Sequence, residues 1–179
     1  MRPLFLSVLL VCLVPAVRAA DDENPYKNSK VGDWVEYKMT GTGFEGKTKM
    51  TVVAKDEKEL TFEIAASFTV MGKEMTAPVQ KQTIDLTKPY DAISAANLAK
   101  NDVKVENLGD GKEKIKIGDK EYDTKWTKSK ATATFNNITV VTETKMWFSK
   151  DVPLSGLVRM DSTVGAITTK LELTGSGKK

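Results

Sequence analysis

The chain has 179 residues, 27 of them Lys or Arg against 24 Asp or Glu, with no histidine and a single cysteine, Cys12. The common ligands of zinc, copper and haem and the commonest general base are therefore missing or nearly so, and we expect no cofactor and no enzymatic activity. Arginine, whose planar fork suits phosphate recognition, occurs once after residue 20, so we expect no nucleic-acid partner.

The first residues have the three-part layout of a secretory signal peptide. Arg2 is followed by an apolar stretch from Leu4 to Val14, and then by small residues that predict cleavage after Ala19. The apolar stretch is too short to span a bilayer. Lipidation of Cys12 is an alternative, although the residue before it is a valine rather than a very small one. We expect an exported protein, periplasmic or extracellular, with no transmembrane segment in the mature chain.

The mature chain, of about 160 residues, has the length of one domain. Cleavage removes residues 1–19 and with them the only cysteine, so no disulfide is expected. Residues 20–30 are polar and turn-rich and predict a flexible leader, and the Gly, Ser and Lys residues of 175–179 predict a disordered tail. Residues 31–174 are expected to form a single β-rich domain.

Two N-terminal segments, 31–40 and 60–70, alternate apolar and polar residues with the period of a half-buried strand. The second is the clearest strand signal in the chain. A turn at 71–73 then leads toward a further strand that ends near Leu86. Pro78 within that strand predicts an edge position or a break.

Residues 91–102, DAISAANLAKND, differ in character from the rest of the chain. They are rich in alanine and place Ile93 and Leu98 near helical spacing behind Asp91, a suitable N-cap. They predict the one substantial helix of the fold.

The remainder of the chain predicts short strands, separated by turns at 109–111, 118–119 and 136–137. Their apolar faces alternate with faces rich in Thr, Lys and Glu, which is typical of an antiparallel sheet with one solvated side. We therefore predict a mainly β fold: a single curved antiparallel sheet of about nine or ten strands, shaped as a barrel or half-barrel, with one helix.

Residues 41–48 match the phosphate-binding pattern G-x-x-x-x-G-K-T letter for letter. That loop binds phosphate only when a helix follows it and points its first amides at the ligand. Here the following residues are rich in β-branched side chains. We interpret the match as a glycine-rich hairpin.

Carboxylates offer two further kinds of site. Glu121 and Asp123 would share a strand face, and glycoside hydrolysis is the chemistry such a pair would serve if burial separated their pKa values. Asp110, Glu113 and Asp119 lie near glycines, but their spacing matches no calcium loop. We interpret all five as surface and turn residues and expect no metal site.

Aromatic and methionine side chains on the alternating faces fit a packed core. They also fit a cavity, because a curved sheet with a helix across its mouth leaves an interior that accepts an apolar or lipid-like ligand. The candidate ligand-lining residues are Tyr37, Met39, Phe62, Ile64, Phe68, Trp126, Met146 and Phe148, with Ile93 and Leu98 in the lid. The alternative function is a structural or protein-interaction module of the cell envelope, in which Trp34 and Trp147, opposite the predicted core face, meet another protein.

The final third of the chain carries a resemblance to a known group. A Trp-bearing strand, 144–149, is followed by a proline turn and a further strand over 151–159, and a closing strand runs through Leu171 and Leu173. In these features the chain resembles exported bacterial proteins similar to the lipoprotein carriers of the periplasm. The resemblance implies an incomplete antiparallel barrel and a lipid-like ligand. It implies no functional residues, because the carriers have several helices and an arginine that has no counterpart here.

Overall fold

The fold is given by a computed structural model that describes residues 24–90, 102–135 and 138–178. The regular structure of these residues is β-strand, arranged as one antiparallel sheet. The strands are β1 (Trp34–Gly41), β2 (Phe44–Lys55), β3 (Glu59–Val70), β4 (Lys73–Thr76), β5 (Gln80–Asp85), β6 (Asp102–Ile117), β7 (Lys120–Phe135), β8 (Ile138–Phe148), β9 (Leu157–Val164) and β10 (Ile167–Gly177). The prediction of a mainly β fold with one antiparallel sheet of nine or ten strands is confirmed.

Hairpins account for most of the strand order, which is β4-β3-β2-β1-β10-β9-β8-β7-β6, with β5 on the remaining half of β3. Most strands therefore lie beside a neighbour in sequence. The exception at the centre is β1, which pairs with β10 and so joins the two ends of the chain. The outermost described strands do not pair with each other, so the sheet is open and is not a closed barrel.

β4 and β5 are two halves of one edge strand. Between the pairs Ser67↔Thr76 and Ile64↔Gln80, β3 advances three residues while the edge strand advances four. The extra residue falls around Pro78, which has no amide hydrogen to donate to a ladder. Pro78 thus interrupts an edge strand, as its sequence position predicts.

The segment that matches the phosphate-binding pattern, 41–48, forms a hairpin. Thr42 and Gly43 make the turn between β1 and β2, and Gly43 has a φ of 78°. Glycine reaches positive φ without steric cost. A strand, and not a helix, follows the turn, so the interpretation as a glycine-rich hairpin is confirmed.

The turn predicted at 109–111 is wrong. β6 continues through it, and its register against β7 shifts after Asn107, which marks a β-bulge. Trp126 on β7 lies over the glycines of this stretch, and a Cβ added to Gly111 would come within 2.9 Å of the indole. The glycines therefore make room for an aromatic ring on the neighbouring strand instead of turning the chain.

Both predicted flexible ends are partly structured. Asn24 is buried and donates hydrogen bonds of 3.0 and 3.1 Å to two backbone carbonyls at and just after β5. Tyr26 is buried and stacks on Phe62, with 5.9 Å between ring centroids. At the other end, β10 reaches Gly177 because Trp34 of β1 pairs with it. The domain therefore includes residues from both segments that composition alone assigns to a leader and a tail.

The sheet is strongly curled. In a flat sheet β10 and β6 would stand roughly 19 Å apart, because four strand spacings separate them. Their Cα atoms approach within 8 Å. Near the β6–β7 turn, Tyr122 joins the core and Ile115 and Ile117 pack against it, so the tip of this hairpin folds toward the core.

Three predictions lie outside the described residues. They are the signal peptide over 1–19, the turn at 136–137, and the helix over 91–101 with the lid residues Ile93 and Leu98. Asp102, the last residue of the predicted helix, begins β6.

Candidate functional site

One face of the curled sheet, here called the core face, carries the apolar core. Strand pairing places Met39, Leu171, Met160 and Met146 side by side across β1, β10, β9 and β8. All four side chains are buried. Because alternate residues of a strand share a face, this row identifies the other core-face residues.

One end of the core face, the closed end, is covered by the protein itself. The loop between β8 and β9 buries Val152 and Leu154 in the core, and the hydroxyl of Tyr37 donates a 3.0 Å hydrogen bond to the carbonyl of Leu157. Tyr26 covers the same core from the N-terminal side. Burial raises the pKa of both tyrosines above the ordinary value of 10.0, because the charged phenolate is poorly solvated there.

Most of the predicted ligand-lining residues belong to this packed core. Those buried in it are Tyr37, Met39, Phe62, Met146 and Phe148, and those partly buried against it are Ile64 and Phe68. The sheet interior at the closed end is therefore filled by the protein's own side chains. Trp126 lies on the opposite face, because it pairs with Trp147 while the neighbouring Thr127 pairs with Met146.

Beyond the methionine row lies a row of small hydroxyl side chains, here called the hydroxyl belt. Pairing places Thr169, Ser162, Thr144 and Ser129 side by side across β10, β9, β8 and β7. Thr169, Ser162 and Ser129 are buried, and the hydroxyls of Thr144 and Ser162 lie 3.3 Å apart in a hydrogen bond. A polar strip thus crosses an otherwise apolar sheet face.

A fifth hydroxyl lies beside the belt, in the methionine row, and has no partner. Oγ1 of Thr127, two residues before Ser129 on β7, is completely buried and has no hydrogen-bond partner in the structure. Leaving such a group unpaired costs roughly 1–3 kcal/mol. Buried polar groups in folded proteins are nearly always paired, so an orphan hydroxyl marks a place where a partner is expected.

Past the belt the core face becomes apolar again and is accessible, and we call this end the apolar rim. Ile167 is 53% exposed and Val105 38% exposed. The rim consists of Ile167, Val164, Ala131, Val105, Val140, Ala133 and Val103, with the buried Thr142 of β8 between Val164 and Ala131. Sequence alternation puts several of these on the core face, but which end of the face stays open depends on strand pairing and on the loops that cover the other end.

Charge is directed away from the belt and rim. Where β7 and β8 carry the belt and rim, Lys128, Lys130 and Glu143 lie on the outer face, and Lys128 and Glu143 form a 3.1 Å ion pair. Beside the belt, the charged core-face residue is Asp110, which pairs with Thr127 on the edge strand β6. The open end is therefore a neutral surface of hydroxyl and hydrocarbon groups.

The outer face carries a cluster of tryptophans and charges. Trp147 is only 6% exposed, and its indole Nε1 donates a hydrogen bond to Glu113, which also accepts one from Lys145 at 2.8 Å. The ammonium of Lys145 lies 4.3 Å from the ring centroid of Trp126 and 4.5 Å from that of Trp147. The hydrogen bonds from Lys145 and then Trp147 lower the pKa of Glu113. The cluster ties β6 to β8 across β7 and leaves little of Trp147 for a partner.

Two other surfaces are accessible. A shallow groove of about 210 Å³ on the outer face is lined mainly by polar side chains of β1 to β3, among them Glu36, Lys47 and Lys49. At the sheet edge, Met71, Met75 and Val79 are exposed, and we call these three residues the edge patch. Met71 is 93% exposed and has a φ of 49°, which is unusual for a residue with a side chain.

The carboxylates considered as sites are surface residues. Lys114 bridges Glu121 at 3.0 Å and Asp123 at 3.7 Å, and both carboxylates are exposed. In the part of the chain that the structure describes, no three Asp, Glu, His or Cys side chains come together as a metal site would need. Over the same residues, no helix has the length and apolar character to cross a membrane.

By its fold the chain is an all-β protein built on one open, curled antiparallel sheet. No protein-family model and no curated protein matches its sequence. Among solved structures it is similar to a candidate exported protein with a YmcC-like fold from Bacteroides fragilis NCTC 9343. The TM-score is 0.53 at 10% sequence identity, over 88% of this chain and 99% of that one. At this identity the likeness concerns the fold alone.

Proposed function

We propose that this is an exported, non-enzymatic protein that binds an apolar or lipid-like ligand at the open end of its core face. The observation that carries the proposal is the apolar rim, where aliphatic side chains on the core face stay accessible to water. The signal-peptide pattern supports export, and so does the description of the Bacteroides protein of similar fold.

Binding of an apolar ligand to the rim is favourable because it removes hydrocarbon surface from water. Removing apolar surface from water contributes roughly 25 cal/mol per Å². Aliphatic residues of the rim lie on five strands, β6 to β10, with Thr142 of β8 between Val164 and Ala131, so a single chain-like ligand can cover several of them at once. In this proposal the predicted ligand-lining residues at the closed end form the packed core and do not themselves contact the ligand.

A second candidate function rests on the edge patch. Met71, Met75 and Val79 are apolar and exposed beside an edge strand whose backbone has no further strand to pair with among the described residues. Such an edge can accept a strand from another protein. In that case the protein is an interaction module of the envelope.

Native mass spectrometry distinguishes these functions. The protein is expressed from the full sequence, purified without detergent from the secreting cells, and examined for a co-purified mass of lipid size. Ile167→Lys places a charge on the rim, and Val141→Lys is the matched control, because Val141 is 41% exposed on the outer face of β8, another strand of the rim.

We expect an adduct on the wild type and on Val141→Lys, and its loss in Ile167→Lys. An adduct that persists equally in Ile167→Lys contradicts the proposed site. A bare polypeptide that stays bare after incubation with a lipid extract contradicts ligand binding and favours the interaction module.

A further inference from the structure

From the layering of the open end we infer that its ligand is a neutral amphiphile, with a hydrocarbon chain on the apolar rim and an uncharged hydroxyl, ester or amide group at the hydroxyl belt. This inference rests on the proposed function and narrows it to a ligand class. It is carried by three features of the core face: the order of its layers, the unpaired hydroxyl of Thr127, and the lack of charge in the belt and rim.

The order of the layers matches an amphiphile. From the closed end outward, the core face presents the methionine row, the hydroxyl belt and the apolar rim. A purely hydrocarbon ligand would gain nothing from the belt. A ligand with a polar group at one end of a chain can place that group among the hydroxyls while the chain lies on the rim.

The belt can hydrogen-bond an uncharged group. Thr144 and Ser162 share one hydrogen bond, but each hydroxyl has one donor hydrogen and two acceptor lone pairs, so capacity remains. The buried Oγ1 of Thr127, one row from the belt and opposite Met146, makes no hydrogen bond in the structure. A ligand hydroxyl, ester or amide supplies the partner that this hydroxyl lacks.

The lack of charged side chains in the belt and rim disfavours an ionic head group. None of the belt or rim side chains is charged, so an ionic group placed there would lose hydration without gaining an ion partner. For an anionic head group the carboxylate of Asp110, opposite Thr127, is repulsive, and it lies one row nearer to the belt than the core-face cations Lys112 and Lys125. A free fatty acid or an anionic phospholipid is therefore disfavoured relative to a neutral lipid of equal chain length.

The test compares three probes with the same chain: monopalmitoylglycerol, palmitate and a palmityl trimethylammonium salt, each delivered from cyclodextrin and measured by titration calorimetry. The test variant, Thr144→Val with Ser162→Ala, removes both hydroxyls of one belt pair, so neither is left unpaired. The control variant, Thr163→Val with Thr168→Val, removes a hydroxyl pair at the same 3.3 Å separation from the outer face of the neighbouring strand pair, β9 and β10. Circular dichroism checks that both variants fold.

We expect monopalmitoylglycerol to bind about tenfold more tightly than either ionic probe, the factor that one to two net hydrogen bonds supply. The belt variant should lose most of that preference and the control should keep it. Equal binding of all three probes, or tighter binding of an ionic one, overturns the inference while leaving apolar-ligand binding intact. Failure of every probe to bind overturns the proposed function itself.

Discussion

The closed and open ends of the core face share β8, β9 and β10, and they differ in the size of their side chains and in what covers them. At the closed end, large residues such as Leu171 and Met146 are buried beneath the β8–β9 loop and Tyr26. At the open end, small hydroxyls and short aliphatic residues leave Ile167 exposed. Strand pairing is continuous between the two ends. Side-chain volume and the covering loops, and not the sheet itself, therefore divide this face into a stabilising part and an accessible part.

The largest expected effect is on stability at the closed end. Leu171→Ala removes a fully buried side chain and should lower the free energy of unfolding by about 2–5 kcal/mol. Ile167→Ala, four residues earlier on the core face of β10, should change it by about 0.5 kcal/mol or less, because the side chain is already exposed. Urea unfolding of both variants measures the difference. Equal losses would remove the distinction between the two ends.

Two turn glycines extend the comparison to the backbone. Gly156 ends the β8–β9 loop with a φ of 76°, and an added Cβ would lie 2.8 Å from the carbonyl oxygen of Ser149. Gly165 turns the chain at the open end with a φ of 58° and has open space around it. We expect Gly156→Ala to cost about 1–3 kcal/mol, and Gly165→Ala about 1 kcal/mol. Thermal unfolding followed by circular dichroism measures both variants. A larger loss of stability in Gly165→Ala would contradict the distinction between the covered and the open end.

Alkaline pH should weaken the closed end selectively. Burial raises the folded-state pKa of Tyr26 and Tyr37 above 10.0, so below pH 10 their contribution to stability is complete. As pH rises above 10 the unfolded chain releases these protons and the folded chain does not, so stability falls. Tyr37→Phe should therefore raise the pH of alkaline unfolding, read from circular dichroism across a pH series. Ionisation of all tyrosines at ordinary pH without unfolding would show that they are not buried.

The smallest expected effect concerns the belt. Thr127→Val removes a buried hydroxyl that has no partner, so stability should stay the same or rise by up to about 1 kcal/mol. Thr144→Val leaves Ser162 without its hydrogen-bond partner and should lower stability by about 1 kcal/mol. Denaturant titration separates the two. A clear loss in Thr127→Val would mean that its hydroxyl is already satisfied.

The fold class and the closed-end core could be predicted from the sequence because alternation reports which residues share a face. It does not report which face is the core when both carry large side chains. On β7 the aromatic residue Trp126 lies on the outer face, and the core-face residues there are small, such as Ser129 and Ala131. The glycines Gly109 and Gly111 predicted a turn, but they make room for the indole of Trp126 on another strand. The sequence around a glycine does not show which side chain from another strand packs against it.

The open end could not be located from the sequence, because the exposure of a side chain depends on the assembled sheet and on the loops that cover it. The pair Val164 and Ile167 lies on the same face of β9 and β10 as the pair Met160 and Leu171, at even spacing along each strand. Only strand pairing and the placement of the β8–β9 loop show that one pair is covered and the other is not.

Methyl NMR of the wild-type protein titrated with monopalmitoylglycerol tests directly whether a ligand binds at the apolar rim. We expect shifts in the methyl signals of Ile167, Val164, Val140 and Val105, with those of Met71 and Val141 unchanged. Shifts confined to Met71, Met75 and Val79, or no shifts at all, would contradict a ligand site at the open end of the core face.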